Sequence, residues 1–595
     1  MHLGPSAHTT TSSLQPAKPA SLSVVVTQLV GWSLAFLLLA LPFETGYGVV
    51  LPGLTLTVVE LIALAVLLLW STALIIERRL PRVRWLLWPA LLFSGALVLS
   101  GALAPQFRGE ALKFALRQAQ GAALGLCLAD QVFAHGWPFA RRLLVALALG
   151  GVASALLGLL EMTETPTMLL LLGVFKPQLS LVEGALRLSA TFSYANIAAM
   201  YYEALLPLAL AASLGLLAGR WRWLGAALAA VLLAATILTY SRAALLGIAF
   251  VLAATPLLVG WRWRGGQLFR RSALLSLALA ALALIPLLSS PTLRLRLYAP
   301  NTGAWLSAKI EASPIPQLDP SVLTRIQLNV TNDGRAAWEH AGLRPVMLAY
   351  HWYDAETGDL FDYEGLRTPL PRDIAPGETI ALSAQIMAPA SPGRYVLAWD
   401  MLREQGGGWF KQATPQKGTL VIVGGAITAP RPAPVPFVEE DLPSPARGVL
   451  WQAATQLWRE RPLLGIGPDV FRHVYGPRLG LARWDERIHT NNLYLEILTG
   501  AGLIGLSACL ALFGTLARHI VPVLLRPRTI LPTQPHSAWA WWCLLASSLG
   551  IAVFLIHGLL DVFLAFTATY VLFWCWIGLA AACAERLAQQ ALRPE

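Results

Sequence analysis

Long runs of apolar residues, repeated along most of the chain, constrain its fold more than any other feature. A helix needs roughly 20 apolar residues to cross the hydrocarbon core of a bilayer, and the sequence contains about twelve such runs. Hydrophobic residues make up 56% of the chain and charged residues only 13%, a balance that soluble domains do not have. The sequence therefore predicts an all-α polytopic membrane protein. The predicted spans lie near 24–43, 56–76, 85–104, 111–133, 143–161, 197–219, 224–240, 243–260, 273–291, 492–524, 538–560 and 563–584.

The arginines between these runs predict the orientation. Short cytoplasmic loops retain their Lys and Arg residues, and a cytoplasmic N-terminus places every strongly basic loop on the cytoplasmic side. Both termini are then cytoplasmic. The net charge of +11 reflects topology and contact with membrane lipid, and we expect no nucleic-acid binding. The loop residues are Arg78, Arg79, Arg82, Arg84, Arg141, Arg142, Arg220, Arg222, Arg262, Arg264, Arg270, Arg271, Arg526 and Arg528.

Residues 293–430 have a different pattern, in which short strand-like runs alternate with turn signals such as Asn332-Asp-Gly334. This pattern predicts an extracytoplasmic β-sandwich inserted between the ninth and tenth spans. The strand-like runs are 324–330, 346–352, 379–386, 394–399 and 417–423. The other predicted divisions are a disordered cytoplasmic leader (1–23), helices 1–9 (24–292), a Pro-rich linker with an extracytoplasmic helical segment (431–491), helices 10–12 (492–584) and a cytoplasmic tail (585–595).

The aromatic residues of the insert allow two interpretations. They could grip a glycan, because they outnumber what a small core requires, or alternate ones could form that core. We favour the core, because aromatic side chains are usually buried. The residues are Trp338, Tyr350, Trp352, Tyr353, Tyr363, Trp399, Trp409 and Phe410.

Several cations fall at the predicted outer ends of the spans, where the positive-inside rule disfavours them. Arg187, Arg242 and Arg447 are the main ones, and His489 lies on the same side. Guanidinium groups match phosphate oxygens bidentately, so this set indicates an anionic ligand such as a lipid pyrophosphate. A single outer arginine can also reach lipid headgroups, and for Arg187 alone the two interpretations are about equal. The short loop around Arg242 favours function.

Three sequence blocks resemble the O-antigen ligase and polymerase superfamily. The blocks are Thr191-Phe-Ser-Tyr-Ala-Asn196, Tyr240-Ser-Arg242, and Arg447-Gly-Val-Leu-Trp451 with Arg461-Pro-Leu-Leu-Gly-Ile-Gly-Pro468 and His489-Thr-Asn-Asn-Leu-Tyr-Leu-Glu496. Their order, spacing and predicted topology agree with that family. The resemblance covers the helical body, whereas the insert resembles the immunoglobulin-like modules of some cell-surface polysaccharide enzymes.

The resemblance implies a metal-independent glycosyltransferase, with no cofactor, in the cytoplasmic (inner) membrane. It would move a glycan from an undecaprenyl-pyrophosphate-linked donor to a glycan or lipid-glycan acceptor, as a polymerase or as a ligase. His489 and Arg242 would be catalytic, with His489 as the base. The family has a second His at the position of Asn491, which leaves open whether His489 acts alone. The implied substrate-binding residues are Arg187, Asn196, Arg447, Asn491, Asn492 and Tyr494.

A transporter of polysaccharide or lipid-linked sugar is the alternative. A transporter would place ionisable residues at the bilayer midplane and broken helices in two related halves. The polar residues here gather at the outer ends instead. The sequence also contains no Asp-x-Asp pair to hold a divalent ion, and the predicted transfer requires none. Glu60 and Glu203 are interpreted as interhelical hydrogen-bond partners.

Overall fold

The fold is known from a computed structural model of the chain. The structure describes residues 22–51, 54–182, 185–298, 305–315, 317–404, 408–410, 417–424, 442, 444–527 and 535–592. Residues 1–21 of the predicted leader, most of the Pro-rich linker and the end of the tail lie outside the described residues. Eleven of the described helices are long and apolar enough to cross a membrane. The protein is therefore a polytopic membrane protein with a β-rich insert.

Helices form the body of the molecule, and their apolar residues pack into one continuous core. The described helices are α1 Leu22–Ala40, α2 Val58–Ile76, α3 Arg84–Ala102, α4 Arg108–His135, α5 Trp137–Glu161, α6 Pro166–Leu172, α7 Ala195–Ala211, α8 Arg222–Leu238, α9 Arg242–Trp263, α10 Gly266–Ser289, α11 Pro291–Tyr298, α12 Arg447–Glu460, α13 Phe471–Arg478, α14 Leu493–Leu524, α15 Pro535–His557 and α16 Thr567–Leu592.

Helix α4 departs from the twelve-span prediction. The run 111–133 is helical, as expected, but α4 is not among the eleven apolar candidates. The reason is its polar content: Glu110, Lys113 and Arg117 lie in its first half, and Asp130 lies in its second. Arg117 forms an ion pair with Glu60 of α2. This contact confirms the interhelical role predicted for Glu60, and it gives a charged helix a partner inside the bundle.

Helix α14 is interrupted at Gly502, where φ is 65° and ψ is −164°. The interruption accommodates the segment 461–468, whose carbonyl groups accept hydrogen bonds from the freed backbone amides. Leu503 N–H donates to Pro462 O, and Ile504 N–H donates to Leu463 O. Irregular backbone within a bundle is stable only where protein satisfies its polar groups. Segment 461–468 satisfies them here.

The insert consists of two antiparallel sheets. Its described strands are β5 Ala308–Ala312, β6 Leu323–Asn332, β7 Val346–Asp354, β8 Leu360–Asp362, β9 Thr368–Pro369, β10 Thr379–Met387, β11 Gly393–Arg403, β12 Gly408–Trp409 and β13 Thr419–Val423. The first sheet has the order β10-β6-β5; the second has the order β12-β11-β7-β8, with β13 also on β11 and β9 on β7. All five strand-like runs are strands. Outside the insert, β1 Gly48–Leu51 pairs with β2 Leu54–Thr57, and β3 Leu181–Val182 pairs with β4 Ala185–Leu186.

The core between the sheets contains the inward residues of the long strands. Trp338, Tyr350 and Trp352 are fully buried there, and Trp399 packs against them. These four aromatics therefore have the core role that the alternation favours. Tyr363 and Trp409 are half-buried on the other side of the second sheet, where both contact the ring of His351.

The insert is attached to the helical body by more than its chain connections. Residues 291–298, which the sequence analysis divided between the last helix and the sandwich, form the separate short helix α11. Leu295 of α11 packs against the sandwich core, as does Val182 from the β3–β4 hairpin. Arg344 of the sandwich forms an ion pair with Glu164, just after α5. These contacts define what we call the sandwich end of the bundle.

Candidate active site

Arg187 lies at the sandwich end, directly after β4, and its guanidinium is held in place by two hydrogen bonds. Nε donates to the carbonyl oxygen of Thr239 over 2.7 Å, and Nη2 donates to Asn196 Oδ1 over 2.6 Å. The amide of Asn196 in turn donates to Asp561 Oδ2 over 2.7 Å. This chain of bonds joins three segments: the loop before α7, the first turn of α7, and the segment after α15. Two predicted substrate-binding residues, Arg187 and Asn196, are thus in direct contact.

Three further arginines from separate segments are linked to Arg187 by their charges, two of them directly and Arg447 through Arg242. Arg242 opens α9, immediately after Ser241 caps the helix by accepting a bond from Ala244 N–H. Arg296 of α11 is buried, and its Nε donates to Tyr240 O. The charges of Arg242 and Arg296 act on Arg187, and the charge of Arg447 acts on Arg242. We call these four residues the arginine cluster: Arg187, Arg242, Arg296 and Arg447.

Electrostatics within the cluster favour an anionic ligand. Burial and the charges of Arg296 and Arg242 lower the pKa of Arg187 to about 9, although Asp561 opposes them. The guanidinium is still charged at neutral pH, but like charges in a poorly solvated site repel one another. A phosphate or pyrophosphate group would relieve that repulsion and could accept bidentate hydrogen bonds. Asp561 is a carboxylate that reaches this cluster through its hydrogen bond with Asn196.

The loop that carries Arg187 rests on a buried ion pair. The Glu161 carboxylate, at the end of α5, is bonded to Lys176 Nζ and accepts bonds from the backbone N–H groups of Ser189 and Ala190. Glu161 is fully buried and Lys176 nearly so. Ala190 has a positive φ of 50°, a conformation that a non-glycine residue keeps only when its surroundings fix it. The Glu161–Lys176 pair therefore fixes the backbone of the loop that contains Arg187.

His489 lies just before α14, between two carboxylates. Its Nδ1 is 3.6 Å from Asp469 Oδ1 and 3.6 Å from Glu496 Oε1. Burial alone would lower the pKa of His489, but the nearby carboxylates of Glu496 and Asp469 outweigh it, so the pKa is raised. Arg472 opposes this effect and forms an ion pair with Asp469 over 3.1 Å. The imidazole is therefore a stronger base than an exposed one.

Asp469, His489 and Glu496 also have the chemistry of metal ligands. Their ligand atoms lie within 4.8 Å of one another, and nitrogen and carboxylate donors suit a divalent transition metal. The sequence contains no Asp-x-Asp pair and predicts no metal site. Asp469 and Glu496 lie 20 and 7 residues from His489 along the chain, so the sequence does not reveal that the three are close in space. The absence of a metal stays a prediction.

Backbone geometry explains how these residues come together. Gly465 and Gly467, both with positive φ, let segment 461–468 approach α14 closely, so that Gly467 N–H donates to Gly500 O over 2.9 Å. A Cβ at Gly465 would lie only 2.4 Å from the same oxygen. Asn491 has φ 52°, a left-handed conformation that Asn tolerates better than most residues. This conformation helps the chain to turn into α14.

Two other predicted substrate-binding residues use their side chains to position α14. Asn492 caps the helix by accepting a bond from Leu495 N–H, and its amide donates to Leu559 O over 3.0 Å. The Tyr494 hydroxyl donates to Leu555 O over 3.0 Å. Their described contacts are internal to the protein. A role for them in substrate binding stays a prediction, as it does for Asn491.

Packed side chains connect the segments that carry the arginine cluster to the segment that carries His489. The Phe566 ring lies 6.3 Å from the His489 ring and 6.0 Å from the ring of Tyr194, two residues before Asn196. Trp451, one turn after Arg447 in α12, donates to Thr490 O over 2.9 Å. The buried pair of Glu203 and His557 connects α7 to α15 beneath the cluster, which confirms the interhelical role predicted for Glu203. These contacts connect the parts of the protein that carry Arg187, Arg447 and His489.

No protein-family model matches the chain, and no curated protein is significantly similar to it. The resemblance described above therefore rests on the sequence motifs alone. Arg296, Asp469, Glu496 and Asp561 carry contacts of the site that sequence reasoning did not assign. Glu496 could have been found from the sequence, because it is the last residue of the His489-Thr-Asn-Asn-Leu-Tyr-Leu-Glu block.

Proposed function

We propose that this protein is a membrane glycosyltransferase that moves a glycan from undecaprenyl pyrophosphate to a glycan or lipid-glycan acceptor. The observation that carries the proposal is a set of four arginines whose charges act on one another, connected through packed side chains to a histidine that lies between two carboxylates. In this proposal the sandwich end faces outward from the cytoplasmic membrane. The donor lipid would then reach the site from the outer leaflet.

On the donor side, the arginine cluster binds the pyrophosphate. As the anomeric C–O bond breaks, its electron pair goes to the departing pyrophosphate, whose charge grows. Guanidinium groups already fixed in place stabilise that charge without having to reorganise. Asn196, itself bonded to Asp561, accepts a hydrogen bond from Nη2 of Arg187, and the carbonyl oxygen of Thr239 accepts one from Nε. These bonds fix the orientation of the guanidinium. Arg242 and Arg447 complete the cluster.

On the acceptor side, His489 removes the proton from the attacking hydroxyl. The oxygen of that hydroxyl forms the new glycosidic bond, and its proton passes to the imidazole. A base whose pKa lies near the working pH is effective for this step. Negative charge grows on the pyrophosphate and positive charge grows on the imidazole, on opposite sides of the reacting carbon. The arginine cluster stabilises the first, and the residues around His489 stabilise the second.

Transfer by purified protein in nanodiscs tests the proposal. The donor is an undecaprenyl-pyrophosphate oligosaccharide from the host envelope, the acceptor comes from the same source, and EDTA is present. We expect Arg242→Ala and His489→Ala to abolish transfer, because each removes a group acting on the transition state. Arg187→Ala raises the KM for the donor. Arg270→Ala, which removes an exposed arginine of a basic loop, is the matched control and keeps wild-type activity.

The products distinguish the remaining possibilities. A ladder of lengthening lipid-linked chains identifies a polymerase, and a single transfer to a different acceptor identifies a ligase. If folded wild-type protein transfers nothing but moves the donor across the bilayer, the transferase is refuted and the transporter takes its place. Equal loss of activity in Arg270→Ala and Arg242→Ala would also refute the role given to the cluster.

A further inference from the structure

We propose that Glu496 and Asp469 are positioning residues that hold His489 in one orientation and stabilise its protonated form during transfer. This inference rests on the proposed function and assigns roles to two carboxylates that it leaves unused. It also specifies the reactive atom. Because Nδ1 faces both carboxylates, Nε2, at the opposite edge of the ring, is the nitrogen that takes the acceptor proton.

The geometry is specific to one ring nitrogen. Nδ1 of His489 and Oδ1 of Asp469 are both buried, and neither has a hydrogen-bond partner among the described residues. A proton on Nδ1 lies between the two carboxylates and is attracted to both, which fixes the tautomer of the neutral ring. Fixing Nδ1–H leaves the lone pair on Nε2. The Phe566 ring, edge-on to the imidazole at 6.3 Å, limits its rotation.

The two carboxylates are not equivalent. Asp469 is shared with Arg472, which neutralises much of its charge. Glu496 is bonded differently. Its Oε2 accepts a hydrogen bond from Thr490 N–H over 3.0 Å, which leaves Oε1 directed at His489. Glu496 is therefore the principal partner of the ring. The groups facing His489 are these two carboxylates and the opposing charge of Arg472.

Two carboxylates are useful because His489 changes charge in the reaction. When the acceptor hydroxyl loses its proton to Nε2, the buried ring becomes a cation, which is costly without nearby negative charge. Glu496 and Asp469 provide that charge before the step begins. After transfer, Nε2 returns the proton to water or to the released pyrophosphate. Neither carboxylate gains or loses a proton over the cycle.

The test is the pH dependence of kcat and KM in the transfer assay. We expect Glu496→Gln to lower kcat by about 10- to 100-fold with little change in the donor KM, because it acts only through His489. Its acid limb should move to lower pH by about one unit, since the lost charge favoured the protonated ring. Glu496→Asp should recover part of kcat. Asp469→Asn should give the same direction of shift with a smaller size.

Glu486→Gln is the matched control. It removes an exposed carboxylate three residues from His489 that pairs with His473 instead, and it should leave the pH profile unchanged. If Glu496→Gln is folded and its acid limb stays at the wild-type pH, the positioning role is refuted. If Glu496→Gln does not fold, the smaller change Asp469→Asn decides by the same criterion. Absence of any transfer by wild type refutes the proposed function itself.

A divalent ion is the competing occupant of the same residues. Binding of Zn²⁺ or Mn²⁺ is measured by calorimetry on EDTA-treated wild type and on Glu496→Gln. We expect no stoichiometric binding and no loss of transfer in EDTA. Binding of one ion per chain that Glu496→Gln abolishes, with transfer restored only when the ion is returned, would overturn the positioning proposal in favour of a metal site.

Discussion

Loss of the buried Glu161 charge should destabilise the loop that carries Arg187. In Glu161→Gln the ammonium of Lys176 keeps its buried position without its counter-ion, and the N–H groups of Ser189 and Ala190 lose a charged acceptor. Breaking one partner of a buried ion pair costs about 3–5 kcal/mol. The side chains of Glu161 and Lys176 are 0% and 2% exposed, so water cannot substitute for the missing charge. We therefore expect a loss of that size in the free energy of unfolding.

Thermal unfolding in detergent, followed by tryptophan fluorescence, measures the effect, and donor binding reports whether Arg187 stays in place. The double variant Glu161→Gln/Lys176→Met should be less destabilised than the sum of its single variants, because it leaves no buried charge alone. Glu311→Gln is the control, since its pair with Lys309 is exposed and its loss should leave the melting temperature unchanged. A Glu161→Gln protein as stable as wild type would refute the reasoning.

Because the pKa of His489 is raised above 6.5, the ordinary value for histidine, its neutral form becomes dominant only at higher pH. The rate of transfer plotted against pH should therefore show an acid limb centred above pH 6.5. The stability gained from the charged ring is present below pH 6.5 and is lost as the pH rises through the raised pKa, which melting curves at several pH values would show. Gly465→Ala should lower the free energy of unfolding by at least about 3 kcal/mol, because the added Cβ would clash with backbone atoms. Gly480 also has a positive φ but faces open space, so Gly480→Ala should lower it by only about 1 kcal/mol. Equal losses in the two variants would contradict this reasoning. Arg344→Ala removes the ion pair with Glu164 and should speed proteolytic release of the sandwich, and equal rates in variant and wild type would mean that other contacts hold the sandwich.

The elements that could be predicted from the sequence are those with local signals. Apolar runs predicted the spans, and alternation predicted β6, β7, β10, β11 and β13, because both patterns reflect burial on one face over consecutive residues. Helix α4 was correctly expected as a helix, but its charges are compensated by partners such as Glu60 on another helix, which no local pattern shows. The break at Gly502 likewise depends on segment 461–468, which lies far away along the chain.

The candidate site was predicted in part. Arg187 and Asn196 were chosen as separate residues, and the structure places them in contact. Arg296 was missed because it lies in a stretch that the sequence analysis assigned to the edge of the β-sandwich. Asp469 was missed because an isolated aspartate carries no periodic signal, and its proximity to the site arises only from packing. Tertiary contacts between distant segments decide such assignments, and a single sequence does not reveal them.

The order of the site residues along the chain has a consequence for biogenesis. Arg187, Arg242 and Arg296 precede the sandwich, whereas Arg447, His489 and Asp561 follow it. A ribosome that has synthesised the chain only as far as the sandwich has therefore produced three of the four arginines of the cluster and not yet His489. Under the proposed function, such a nascent chain would carry most of the groups for donor binding but no base, so it could not transfer a sugar. The onset of activity would then depend on insertion and packing of the helices beyond the sandwich.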